Sequence, residues 1–139
     1  MNYKKNKQGY VLKLKKDKEV ITEILLFVQK KKIKSSFIFG IGAVQNAELS
    51  FYDLQNKKYL TKKFNKPFEV SNLTGNISWV GKKPIAHIHV TLADKNLNVV
   101  AGHLNKAIVG ATLEIFINIF PNKIERKNDD QIGLNLLDI

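Results

Sequence analysis

Cysteine is absent from this 139-residue chain, which excludes disulfides, thiolate nucleophiles and Cys-ligated zinc. A chain without cysteine fits a cytoplasmic protein. Proline occurs only three times and glycine eight, and neither gathers into a linker that would divide the chain. No apolar run approaches the roughly 18 residues that a membrane span requires. The basic N-terminus is followed by no apolar stretch, so it does not read as a secretory signal. Arginine is the scarcest charge: Arg126 stands alone beside 22 lysines. Direct base readout and bidentate phosphate contacts favour arginine, so this composition points to solvated lysines before a dedicated nucleic-acid surface.

Lysine itself is abundant, and the net charge is +11. Residues 1–34 hold eleven of the lysines against Asp17, Glu19 and Glu23, so most of the excess lies in the first quarter. That basic N-terminal quarter is the candidate surface for DNA or another polyanion. A length of 139 residues with 44% hydrophobic content suits one domain with a real core.

Hydrophobic spacing predicts an α+β protein of about eight mainly antiparallel strands and one main helix. Tyr10–Leu14 alternates as a first strand, and Asp17 caps a helix running to about Lys32, with Val20, Ile21, Ile24, Leu25 and Val28 on one face. Strands follow at Lys34–Phe39, Val44–Tyr52, Lys58–Phe64, Phe68–Leu73 and Thr112–Phe120, with Gly40–Gly42 as a tight turn or a close backbone approach. Asn56 and Pro67 mark turns or edges. A single domain, 1–139, is expected. Residues 121–131 read as a flexible polar tail and 132–139 as a candidate edge strand.

Three histidines make up the whole imidazole supply: His87, His89 and His103. Pro84–Leu92 and Asn98–Leu104 read as the two strands of a hairpin joined by the turn formers of Asp94–Asn98. Folding it symmetrically about Asn96 sets His89 opposite His103, with His87 two residues away on the same face. Opposed Cβ atoms lie about 5 Å apart and diagonal ones about 7–8 Å, so three rings can converge on one ion. The same register collects Ile88, Val90, Leu92, Val100 and Leu104 on the other face, fit for a core. A His₃ set with an open fourth position suits zinc, although nickel, copper and iron also accept imidazole. Spacing alone leaves metal binding and a surface or hydrogen-bonding role both open. Glu69 and Glu114 lie in apolar strand contexts. Glu114 reads as a salt-bridged edge residue, while Glu69, in the motif-like stretch Phe68–Ser78, is a candidate fourth ligand, general base or salt-bridged edge residue.

Three blocks of residues, taken together, resemble a known family. They are Gly40–Ile41–Gly42–Ala43–Val44 followed by Ala47–Asp53; Phe68–Glu69–Val70 with Leu73–Thr74–Gly75–Asn76–Ile77; and Pro84, His87–Leu92 and Ala101–Gly102–His103–Leu104 running to Thr112–Glu114. In this order they look like the plants-and-prokaryotes conserved (PPC) domain, over about residues 8–120. The resemblance implies an α+β fold assembled as a homotrimer, with His87, His89 and His103 as ligands of a divalent metal, commonly zinc. Ala101 stands where the family usually has glycine, a small-for-small change that should spare the site. The AT-hook of the plant members, Arg-Gly-Arg-Pro, is missing, so their mode of DNA binding does not carry over. The fold also resembles α-acetolactate decarboxylase, a zinc enzyme, by analogy at fold level only. Two functions follow: a zinc-binding homotrimer acting as a binding or regulatory module, with DNA as one candidate partner, or a zinc-dependent enzyme on small carbonyl or carboxylate metabolites.

Overall fold

The computed structural model describes residues 1–139. In chain order the elements are β1 (Asn2–Lys5), β2 (Gly9–Lys15), α1 (Val20–Lys31), β3 (Ser35–Asp53), β4 (Lys58–Val80), β5 (Lys83–Ala93), β6 (Val99–Phe120), β7 (Arg126–Asp129) and β8 (Leu134–Leu137). Antiparallel strands dominate and one helix accompanies them, the α+β class that the hydrophobic spacing predicts. Six strands form one sheet in the order β1-β2-β6-β3-β4-β5, and β5 pairs with β6 as well, so part of the sheet closes on itself. Its inner face and α1 enclose a core of 24 apolar residues, among them Leu12, Ile38, Leu73, Ile88, Leu113 and Ile115.

Helix α1 follows its apolar stripe, with Val20, Ile24, Phe27 and Val28 buried. Its cap differs from expectation. Glu19, not Asp17, accepts from the backbone N–H groups of Ile21 (3.1 Å) and Thr22 (2.7 Å). Asp17 lies before the helix in a left-handed turn (φ 66°) and donates its N–H to the Val109 carbonyl. Lys32 ends the helix in the left-handed conformation, bonded back to Gln29.

The strands number eight, as expected, but β3, β4 and β6 are longer than glycine and proline suggest. Gly40–Gly42 is no turn but a close approach within the continuous β3. A Cβ at Gly42 (φ 146°) would collide with the Thr112 carbonyl of β6, and the ladder shifts register there. Pro67 sits inside β4 opposite Gln45, next to a second register shift, where its missing N–H is tolerated. The two expected strands at Asn98–Leu104 and Thr112–Phe120 are halves of one bulged strand, β6. Strand β1 has no apolar alternation to announce it. It pairs with β2 and packs Tyr3 against Tyr10 and Phe27, with the Lys31 ammonium over the Tyr3 ring.

The C-terminal residues form a separate two-stranded ribbon. Leu134–Leu137, expected at the edge of the main sheet, pairs with Arg126–Asp129 instead, within the stretch that reads as a polar tail. The Asp129 carboxylate accepts from the N–H groups of Gln131 and Ile132 and closes the turn, with Gly133 at φ 79°. The Tyr52 hydroxyl donates to the Ile132 carbonyl (2.6 Å) and Lys57 Nζ to that of Asp130 (2.7 Å), tying this turn to the tip of the β3–β4 hairpin.

Candidate metal centre

Asp94 sets the register of the β5–β6 ribbon. Its Oδ1 accepts from the N–H groups of Asn96 (2.9 Å) and Asn98 (3.1 Å), and Leu97 takes the left-handed conformation that reverses the chain. Lys66 donates to Asp94 Oδ2 at 2.7 Å, and that bond with the Asn96 N–H draws the Asp94 pKa down to about 2. From this turn the pairs run Ala93–Val99, Leu92–Val100, Thr91–Ala101, Val90–Gly102 and His89–His103. Ile88, Val90, Leu92 and Leu104 face the core at no more than 3% exposure. The alternation therefore turns His87, His89 and His103 outward together.

The three rings form a near-regular triangle. Centroids lie 5.2 Å apart for His87–His89 and His87–His103, and 5.6 Å for His89–His103. Each residue offers a ring nitrogen, and the three nitrogens lie within 4.8 Å of one another. Bonds of 2.0–2.1 Å at tetrahedral angles need separations of roughly 3.3 Å, so small side-chain rotations would complete a coordination shell.

Electrostatics favours the ligand form of two of these rings, His87 and His103. Burial, helped by the charges of Arg126, His103 and His89, pulls the His87 pKa down to about 4. Burial also lowers that of His103, with His89 and Arg126 adding to the effect. Both are then neutral at pH 7, the state with a lone pair to give. His103 Nδ1 is buried and has no hydrogen-bond partner. A buried nitrogen lone pair without a partner is costly, and a bound cation would satisfy it. The donor set and this unsatisfied nitrogen fit a metal such as zinc.

Several neighbours escaped the sequence reading. The Tyr59 ring stacks on His103 at 5.2 Å, and Tyr52 meets Tyr59 edge-on. Arg126, on β7, donates from Nε to the buried Ser78 hydroxyl (2.6 Å), from Nη1 to the Asn135 carbonyl (2.8 Å) and from Nη2 to Asn76 Oδ1 (3.1 Å). Nη2 also lies 3.2 Å from His87 Nδ1. The signal that could have found Arg126 is its solitude in a lysine-rich chain. A cleft of 260 Å³ opens beside these groups, lined by Tyr59, His87, His103, Arg126 and apolar side chains of β4, β5 and β8. A second, more open one of 530 Å³ lies on the His89 side, against Phe51 and Tyr52.

Glu69 is placed apart. It pairs with Ala93, four residues along β5 from His89 and so roughly 13 Å away, and it is exposed. The group of clustered ligand side chains comprises the three histidines without it. Glu114 is exposed on β6 opposite Lys13 and lies in none of the ion pairs. The basic first quarter spreads over β1, β2 and α1 and contributes nothing to the histidine cluster.

The Plants and Prokaryotes Conserved (PCC) domain, the same family as the PPC domain, matches residues 1–121. Among solved structures, a "putative dna binding protein" from Bacteroides thetaiotaomicron is 33% identical with a TM-score of 0.95, over 99% of this chain and 96% of that one. A metal-containing protein from Archaeoglobus fulgidus is also 33% identical, with a TM-score of 0.87 over 99% and 97% of the two chains. A plant- and prokaryote-conserved (PPC) protein from Pyrococcus horikoshii is 29% identical, with a TM-score of 0.88 over 99% and 95%. The α-acetolactate decarboxylase of Bacillus subtilis, 14% identical with a TM-score of 0.55 over 93% and 60%, shares the fold alone. No curated protein matches the chain. No helix is long and apolar enough to cross a membrane.

Proposed function

The chain belongs to the Plants and Prokaryotes Conserved domain family, and we propose that it is a cytoplasmic, metal-binding homotrimer in which His87, His89 and His103 hold one divalent ion per subunit. The observation that carries this reading is the convergence of three outward-facing ring nitrogens within 4.8 Å, beside an unsatisfied buried Nδ1. The likeness to a metal-containing relative at 33% identity supports it. Zinc suits three neutral imidazoles with a fourth position left open, where it would supply Lewis acidity. The three rings would hold the ion beside a concave cleft, with burial keeping His87 and His103 neutral.

Association as a trimer draws support from the sheet's outer face. Phe37, Phe39 and Ile41 of β3 are 39%, 40% and 57% exposed, and Phe39 stacks on Phe116 of β6. A contiguous aromatic strip of this kind suits a second copy of the chain. In this reading the trimer is a binding or regulatory module. Elemental analysis of native protein tests it: one metal per chain is expected, lost in His89→Ala without loss of assembly, and a metal-free native protein would reject it.

DNA is the candidate macromolecular partner, supported by the lysine-rich surface of β1, β2 and α1 and by the description of the Bacteroides relative. Such binding must weaken steeply between low and moderate salt, and an affinity flat in salt would reject it. The cleft beside the histidines favours the second reading, an enzyme acting on small carbonyl or carboxylate compounds, whose turnover a chelator would abolish.

A further inference from the structure

The only arginine of the chain occupies an unusual place. A metal-ligating histidine ordinarily meets a carboxylate, a carbonyl or water on its other side, partners that offset the charge of the ion. Here a guanidinium nitrogen lies 3.2 Å from His87 Nδ1, and the cluster contains no acid. The four ion pairs of the molecule are Lys63–Glu48, Lys66–Asp94, Lys123–Glu125 and Lys127–Asp138, and none of them reaches Arg126. A divalent ion on the histidines would therefore sit beside a fixed, half-buried cation with nothing on the protein to balance either.

The guanidinium is also held still. Ser78, Asn76 and the Asn135 carbonyl take three of its five N–H groups and aim its remaining edge along the cleft. One Nη1 proton has no protein acceptor, and the Nη2 proton that faces His87 loses its acceptor when the ring ligates through Nε2, because a neutral imidazole then carries its own proton on Nδ1. A pair of parallel N–H groups on a rigid arginine is the arrangement that grips a carboxylate. The cleft measures 260 Å³, below the size that suits drug-like ligands, and its walls include Val80, Ile85 and Leu134.

We propose that Arg126 and the open metal position together bind a small organic carboxylate, the anionic end bridging guanidinium and ion and the short apolar body lying against Val80, Ile85 and Leu134. The proposal rests on the metal reading above and names the ligand class of that site. Arg126 lies outside residues 1–121, the part matched by the family, so the subsite is built by the C-terminal ribbon. Because anion and metal would neutralise one another's surroundings, each must tighten the other's binding by the same factor.

The test uses zinc, butyrate and, as the uncharged control, butanamide. With a single arginine in the chain, the side-chain Nε–H signal of ¹⁵N-labelled protein belongs to Arg126 without assignment. In zinc-loaded protein butyrate should move that signal saturably and butanamide should not. Zinc titrations should show an affinity about tenfold higher with saturating butyrate, within the range usual for coupled sites. R126K should still bind zinc and lose most of that gain. An Arg126 signal unmoved by butyrate in zinc-loaded protein would overturn the proposal alone, as would an undiminished gain in R126K. Equal coupling by inorganic phosphate would overturn the carboxylate assignment. Failure to bind zinc even without butyrate would overturn the metal reading and this proposal with it.

Discussion

Two ribbons meet at the cleft, and they are held by different forces. The β5–β6 ribbon carries the histidines and is pinned from behind by Ile88, Val90, Leu92 and Leu104, all essentially inaccessible to water. The β7–β8 ribbon carries Arg126 and contains no buried residue. It is fastened by hydrogen bonds from Arg126, Tyr52 and Lys57. Core packing orients the first and a handful of polar contacts the second. A side chain placed by register cannot leave the site without unfolding the sheet, whereas one placed by a surface ribbon can leave by local opening.

Substitutions should separate the two. Ile88→Ala removes a fully buried side chain directly behind the histidines and should cost about 2–5 kcal/mol in denaturant unfolding, with cooperative loss of the whole sheet. Ser78→Ala strands the Arg126 Nε–H and should cost about 1–3 kcal/mol, with faster amide exchange confined to β7 and β8. Exchange that quickens equally in β5 and β6 would contradict the division. Leu136→Ala, 37% exposed on β8, should change global stability by less than about 1 kcal/mol.

Acid should act on the ribbon of histidines only. Burial and the neighbouring cations lower the His87 pKa from 6.5 to about 4 in the folded state. Between those values the unfolded chain binds a proton that the folded one does not, so metal-free protein loses stability as pH falls through this window. Above pH 6.5 the contribution is complete. Ring-proton NMR should show His87 titrating well below the ordinary histidine range, and a normal His87 titration would contradict the burial argument.

The same contrast explains what could be read from the sequence. Period-two alternation and a turn built on Asp94 specify the register of β5 and β6, and with it the facing of His89 and His103. The apolar stripe of α1 is equally plain, though the cap fell on Glu19 because Asp17 is consumed by a left-handed turn. Strand lengths were hidden, since Gly40, Gly42 and Pro67 look like stops and act as bulges inside long strands. Arg126 was hidden more deeply. It lies 39 residues from His87 in a polar ribbon with no hydrophobic pattern to place it, and only its uniqueness among lysines marked it.

X-ray absorption at the metal edge of zinc-loaded protein tests the central claim most directly. Three imidazole nitrogens with one or more oxygen ligands are expected in the native chain, falling to two or fewer nitrogens in His89→Ala. A shell of oxygen ligands alone, or a native spectrum unchanged by that substitution, would contradict it.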